Sequence, residues 1–491
     1  MILAIDQGTT GTTVVIYNLQ GQFLAKSHNE FSQIYPHPSW VEHDAEEIWQ
    51  NTLSTIKQVL IKTDTSYHAI TCIGITNQRE TTVLWDKTTG KPVHNAIVWQ
   101  CRRSTDICNK IKKSGKSDWI QQKTGLVVDA YFSATKIKWL FENSPEVNTL
   151  AEQDKLAFGT IDSWLIWKLT GGQHHVTDHT NASRTMLYNI HDQTWDQELL
   201  SYFSLPKSIL PTIQNSASCF GKTCKTLFSG NAIPITGVAG DQQSALFGQR
   251  CINSGQVKNT YGTGCFMLMY TGNNNSISKN GLLTTIACNE KGQPAYALEG
   301  SVFIAGAAIQ WLRDQLQLIT HASETEHIAN SIQDTQGVYF VPAFTGLGAP
   351  HWDMDARGAI TGLTRGSGKN EIIRATLESI AYQTYDVLTL MQSESGISIK
   401  SMHVDGGACN NAFLMQFQAD LLNIELVRPE NIESTALGAI LLAGIGANIW
   451  SHNAIPKNIY KVDEIFTTTM QFTQRKKLIR GWNKAIEQVK N

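Results

Sequence analysis

The sequence has no excess of either charge. Its 40 Lys and Arg stand against 42 Asp and Glu, a formal net charge of −2, so it has no electrostatic footing on nucleic acid or an anionic membrane. Paired cysteines are also missing. Nine are scattered at 72, 101, 108, 219, 224, 251, 265, 288 and 409. An odd count without any C-x-x-C argues against a disulfide framework or zinc site and suits small apolar residues in a reducing compartment. No uncharged apolar run reaches membrane-spanning length. Met1-Ile2-Leu3-Ala4-Ile5-Asp6 meets an acid with no basic residue before it, so it reads as a strand rather than a signal peptide, and the expected location is cytoplasmic. The sequons at Asn181 and Asn274 are then chance matches.

Two nucleotide signatures are absent as well. Gly-Lys pairs occur at Gly115-Lys116, Gly221-Lys222 and Gly368-Lys369, but the positions five residues before each glycine hold Lys110, Ser216 and Leu363. A Walker A loop needs glycine there to wrap phosphates in backbone N–H groups. A Rossmann G-x-G-x-x-G after the first strand is missing too.

What is present is a 491-residue chain, 42% hydrophobic and 17% charged. That is too long for one core, and it predicts two α/β domains of comparable size, 1–245 and 246–491. Ile2–Asp6, Thr12–Tyr17 and Phe23–Ser27 read as a meander, and Ile70–Ile75 as a further buried strand. Asp44 caps the next helix, with Glu47 placed to complete a capping box. Trp49, Leu53, Ile56 and Leu60 line one face of that helix. Strand, Gly/Thr turn, strand occurs at Asp6-Gln7-Gly8-Thr9-Thr10 and again at Tyr261-Gly262-Thr263-Gly264. This internal repeat suggests two similar domains.

In these turns, glycine lets the backbone approach a phosphate while threonine hydroxyls and N–H groups donate to it. Asp6 at the strand end can hold Mg²⁺ through its water shell. A plain Gly/Thr hairpin is the alternative reading. A third element, Asp405-Gly406-Gly407, follows a strand in the order expected of the actin/hexokinase-type ATPase fold (ribonuclease H-like). Resemblance to that fold implies phosphate loops from both domains, an adenosine loop in the second, and an active site in the cleft between them. Arg79-Glu80, in the run Thr76–Glu80, offers a donor fork and an acceptor suited to vicinal hydroxyls, or else a surface ion pair. Asp241, after Gly240, is either an acceptor for a hydroxyl proton or a helix N-cap.

Six segments carry a more specific likeness: GITNQRETT from Gly74, NAIVWQCRR from Asn95, TDHTNASRTM from Thr177, GDQQSALFG from Gly240, KNTYGTGCFMLM from Lys258 and VPAFTGLGAP from Val341. Tyr131-Phe132-Ser133-Ala134-Thr135-Lys136 adds a further fingerprint. Over essentially its full length the sequence resembles the FGGY carbohydrate kinases, and within them the branch acting on glycerol. The resemblance implies transfer of the γ-phosphoryl of MgATP to glycerol, giving sn-glycerol 3-phosphate and ADP. Arg79, Glu80, Tyr131, Asp241 and Gln242 would hold glycerol, Trp99 and Phe266 would pack on its carbons, and Asp241 would be the general base. Asp6 and Asp241 would place Mg²⁺. Thr9, Thr10, Gly11, Thr263, Gly306, Gln310, Gly407 and Asn411 would bind ATP. A homo-oligomer, dimer or tetramer, is also implied.

Two departures stand out. Gly11-Thr12-Thr13 replaces the Ser-Ser-Arg run often found after the two threonines, so an arginine reaching toward nucleotide phosphate is missing. The stretch 225–232 lacks the glycine run and arginine of the loop that binds fructose 1,6-bisphosphate in some relatives.

Overall fold

Burial on both faces builds the first sheet. In a computed structural model of the chain, which describes residues 1–430 and 433–490, strands β1 (Ile2–Gln7), β2 (Gly11–Tyr17) and β3 (Phe23–Glu30) form the expected antiparallel meander. Strands β4 (Cys72–Asn77) and β5 (Ile235–Gly240) add on the other side of β1, both parallel to it, in the order β5-β4-β1-β2-β3. Successive side chains point to opposite faces. Leu3, Ile5, Val14, Ile16, Ile73 and Ile75 meet Trp49, Ile56, Val59 and Leu60 of the helix Ala45–Lys62. On the other face, Ile2, Ala4, Val15 and Cys72 meet Leu437, Ile440 and Leu441 of the helix Ser434–Gly446.

Asp44 is the N-cap of the first of these helices, accepting from the N–H groups of Glu46 and Glu47 at 2.8 and 3.3 Å. The capping box is not completed through Glu47. Its carboxylate instead accepts from the backbone N–H and hydroxyl of Ser32, both at 2.9 Å. A partner in the neighbouring loop outcompetes the local one.

The chain forms two compact units. One comprises Met1–Ile252, Leu283–Ala297 and Ser434–Tyr460, and the other Asn253–Leu282, Leu298–Glu433 and Lys461–Asn491. A cut at 245 follows chain order, whereas compactness returns residues 283–297 and 434–460 to the first unit.

The second unit repeats the sheet. Strands β6 (Gln256–Tyr261) and β7 (Cys265–Gly272) are an antiparallel pair, and β8 (Pro294–Val302), of which residues 298–302 belong to this unit, lies next to β7. Strands β9 (Ser401–Gly406) and β10 (Glu425–Pro429) run parallel to β6, and β11 (Val462–Phe466) closes the edge antiparallel to β10. Within a seven-stranded sheet, the run β10-β9-β6-β7-β8 follows the same order as β5-β4-β1-β2-β3, which gives the short sequence repeat its structural meaning. Its core is Val257, Met267, Met269, Met402 and Val404 against Leu377, Ile380 and Leu388.

The helix Ser434–Gly446 can lie on the first sheet only because Gly74 has no side chain. A Cβ there would stand 2.3 Å from the Ala439 carbonyl oxygen. Overpacking of this kind costs about 1–3 kcal/mol. Gly74→Ala is therefore expected to lower the thermal unfolding midpoint measurably, and an unchanged midpoint would show that the helix is free to shift.

Candidate active site

The parallel strands bring three chain segments to one end of the first sheet. Register aligns Asp6 with Thr76 and Thr76 with Ala239, so Gln7, Asn77 and Gly240 form the next row. Beyond that row lie the Gly8–Thr10 turn, the Gln78–Glu80 run and Asp241. Strands are about 4.8 Å apart, which puts Asp6 and Asp241 at positions roughly two strand spacings from each other.

A chain of alternating charges occupies this end. Arg79 Nε lies 3.2 Å from Asp241 Oδ1 and 3.6 Å from Glu80 Oε1, and Glu80 Oε1 accepts from Arg184 Nε at 2.6 Å. Arg79, Glu80 and Arg184 are 3%, 1% and 0% exposed, whereas the Asp241 side chain is 31% exposed. Burial excludes the surface ion pair as a reading of Arg79-Glu80. Arg79 also donates to Gln243 Oε1 at 3.2 Å and to the Tyr131 hydroxyl at 3.3 Å.

The backbone is bent to make this arrangement. Glu80 has φ +62°, a left-handed conformation that costs a residue with a side chain about 1–2 kcal/mol. Its carbonyl accepts from the hydroxyls of Ser133 and Thr82 at 3.0 and 3.1 Å. Lys136, wholly buried, donates to the carbonyls of Tyr131 and Phe132. Burial pulls its pKa down to about 8, against the opposing pull of Glu80.

Asp241 is the first residue of the helix Asp241–Gly248, with Gly240 at the N-cap. The aspartate is therefore not the cap, and its Oδ1 accepts from the Gln242 N–H at 2.7 Å. Trp99, half-buried, meets the Tyr131 ring edge to face at 5.6 Å and donates its indole N–H to Thr9 Oγ1 at 2.9 Å. A residue expected at the polyol and one expected at the nucleotide are thus joined directly.

A buried polar layer supports the Gly8–Thr10 turn. His43 Nε2 pairs with Gln33 Oε1 at 2.8 Å, and Gln33 donates to the Thr9 carbonyl at 3.0 Å. Gln78 Nε2 donates to the Gly8 carbonyl at 3.1 Å and lies 3.4 Å from His43 Nδ1.

The remaining expected residues lie in the second unit. Thr263 sits in the β6–β7 turn, closed by Gly262 N–H to the Gly264 carbonyl at 2.8 Å. The helix Gly306–Asp314 starts against this turn, with Gly306 N–H donating to the Gly262 carbonyl at 3.1 Å and Gln310 exposed one turn on. Phe266 is half-buried on β7. Gly407 follows β9 with open space where a Cβ would be, and Asn411 caps the helix Ala412–Leu422 by accepting from Leu414 N–H at 2.9 Å.

Models of the FGGY family of carbohydrate kinases match residues 1–248 with its N-terminal domain and 257–447 with its C-terminal domain. The chain belongs to the FGGY family of carbohydrate kinases. This FGGY chain is 55% identical over 485 residues to a protein of Desulforamulus reducens named glycerol kinase, covering 99% of this chain and 97% of that one. It is 56% identical over 486 residues to the glycerol kinase of Treponema denticola, with 99% and 98% covered. The Plasmodium falciparum glycerol kinase structure with ADP superposes with a TM-score of 0.95 at 39% identity, over 99% of this chain and 98% of that one. Xylulose kinase from Lactobacillus acidophilus superposes at 0.88 with 23% identity over the same shares, which speaks to the fold.

Two features of the FGGY chain's site escaped the sequence reading. Arg184 lay inside a quoted segment, and the signal for it was charge balance: Glu80 and Asp241 are two carboxylates against the single Arg79. The short helix His179–Ala182, capped by Asp178, precedes it, and reciprocal amide bonds between Asn77 and Asn181 at 3.0 and 3.1 Å tie that helix to the end of β4. The His43–Gln33–Gln78 layer carries no local pattern at all.

That layer predicts an acid limb in stability. Burial lowers the His43 pKa from 6.5 to about 4, so between these values the unfolded chain binds the proton that the folded one refuses. The contribution is complete above pH 6.5 and is lost as pH falls through 4. His43→Gln should shrink the stability difference between pH 7 and 4.5 by about 2 kcal/mol, measured by urea denaturation at both pH values. An equal difference in both proteins would remove His43 from the account.

Proposed function

We propose that the chain is an ATP-dependent glycerol kinase, forming sn-glycerol 3-phosphate and ADP by in-line transfer. The observation that carries this reading is the end of the first sheet, where Arg79, Glu80, Tyr131 and Asp241 converge beside Trp99. Such a set suits a small polyol: guanidinium and phenol donate, carboxylates accept, and an indole face takes the carbons. Among FGGY substrates, glycerol is favoured by the names of relatives that match nearly the whole chain.

In this reading Arg79, Glu80, Tyr131 and Gln242 orient glycerol, with Trp99 against its carbons. Asp241 accepts the proton of the attacking primary hydroxyl as its oxygen bonds to the γ-phosphorus. The bond to the bridging oxygen breaks, and ADP leaves with that electron pair. Within the first unit the Thr9–Gly11 turn suits a nucleotide's phosphates, and within the second unit Thr263, Gly306, Gln310, Gly407 and Asn411 stand at the family's nucleotide positions. The carboxylates of Asp6 and Asp241 suit Mg²⁺, which takes few carboxylates, keeps several waters and would neutralise charge on the phosphates. Among the described residues no helix is long and apolar enough to cross a membrane.

ADP release measured with glycerol, dihydroxyacetone, erythritol and xylulose tests the assignment. Glycerol is expected to give the highest kcat/KM and the protein alone only slow ATP hydrolysis. Equal ATP consumption without any polyol would replace the kinase by a simple ATPase, and a preference for xylulose would move the substrate within the family.

A further inference from the structure

The sheet edge beside the first phosphate turn carries a histidine that the proposed reaction leaves without a role. Register pairs Asp6 with Thr13 across β1 and β2, and Thr13 with His28 across β2 and β3. Directly opposed residues project to the same face, so the three form one row that runs from the candidate cation carboxylate to the exposed edge. Thr13 Oγ1 and His28 Nδ1 are 2.9 Å apart.

The imidazole lies over Gly11. A Cβ on Gly11 would stand 2.6 Å from His28 Cε1 and 2.8 Å from His28 Nε2, so the ring occupies the space that any side chain at position 11 would fill. Gly11 itself closes the phosphate turn, its carbonyl accepting from Gly8 N–H at 2.9 Å. A ring whose Nδ1 accepts the threonine hydroxyl carries its proton on Nε2, the nitrogen above the turn. Phosphate oxygens need donors at that place.

We propose that His28 is a nucleotide-binding residue. Thr13 fixes the ring through Nδ1, and Nε2–H donates to a phosphate oxygen of a nucleoside di- or triphosphate seated on the Gly8–Gly11 turn. This rests on the kinase reading, since that reading puts the nucleotide at the turn. The competing role is packing alone, an edge residue that merely covers Gly11.

Calorimetric titration of the whole protein with MgADP, beside a separate titration with glycerol, separates these. His28→Phe keeps a ring over Gly11 and removes both nitrogens, and His28→Gln keeps a donor near the Nε2 position. A hydrogen bond to a charged group predicts about ten-fold weaker MgADP binding in His28→Phe and in His28→Ala. His28→Gln should stay within about three-fold of the wild type, with glycerol affinity unchanged in all three. MgADP affinity in His28→Phe within two-fold of the wild type, in a protein that phosphorylates glycerol, overturns the role of His28 and leaves the kinase reading intact. A wild type that binds no MgADP and releases none from ATP overturns both.

Discussion

The first unit is organised around a buried chain of charge, Asp241–Arg79–Glu80–Arg184. Each inner member would be prohibitively costly to bury alone, and removing one partner of such a pair costs about 3–5 kcal/mol because its neighbour stays buried and charged. Alternation makes the set neutral, and only the terminal aspartate is partly exposed. The segments must therefore arrive together: β4 with Arg79 and Glu80, β5 with Asp241, and the stretch after Asp178 with Arg184. The left-handed Glu80, its carbonyl bonds from Ser133 and Thr82, and the buried ammonium of Lys136 are the local consequences.

Around that chain the polar groups of the strand ends are tied to one another rather than to solvent. His43, Gln33 and Gln78 hold the carbonyls of Gly8 and Thr9. Trp99 reaches Thr9 from beside Tyr131. A turn supported from beneath and tied at its side keeps its backbone N–H groups in a fixed array, and preorganised donors of this kind are what phosphoryl transfer requires of a protein. The second unit builds its own turn at Thr263 on the same strand order.

The sequence made legible whatever is local. The meander, the strand Cys72–Asn77 and the Asp44 cap follow from short buried runs, turn residues and a capping side chain, all within a few positions of each other. Asp6, Arg79 and Asp241 were visible because each sits at the end of a buried strand. Arg184 was not, since its partner is 104 positions away, and neither was the turn of Glu47 toward Ser32, where two candidate partners compete in space. The return of 434–460 to the first unit has the same cause. A very apolar helix is readable as buried, but the sheet it covers, at Gly74 and Gly237, is built from strands far earlier in the chain and leaves no periodicity in the helix itself.

In the proposed reaction the exposed end of the charge chain, Asp241, takes the proton of the attacking hydroxyl. Steady-state kinetics of Asp241→Asn, with glycerol affinity measured directly in the same protein, tests it. The substitution keeps size and much of the hydrogen bonding but removes charge and basicity. General-base help is worth about 10²–10⁴ in rate, so the expected result is a kcat at least about 100-fold lower with glycerol still bound. Turnover near the wild-type rate would contradict the account and require a different base.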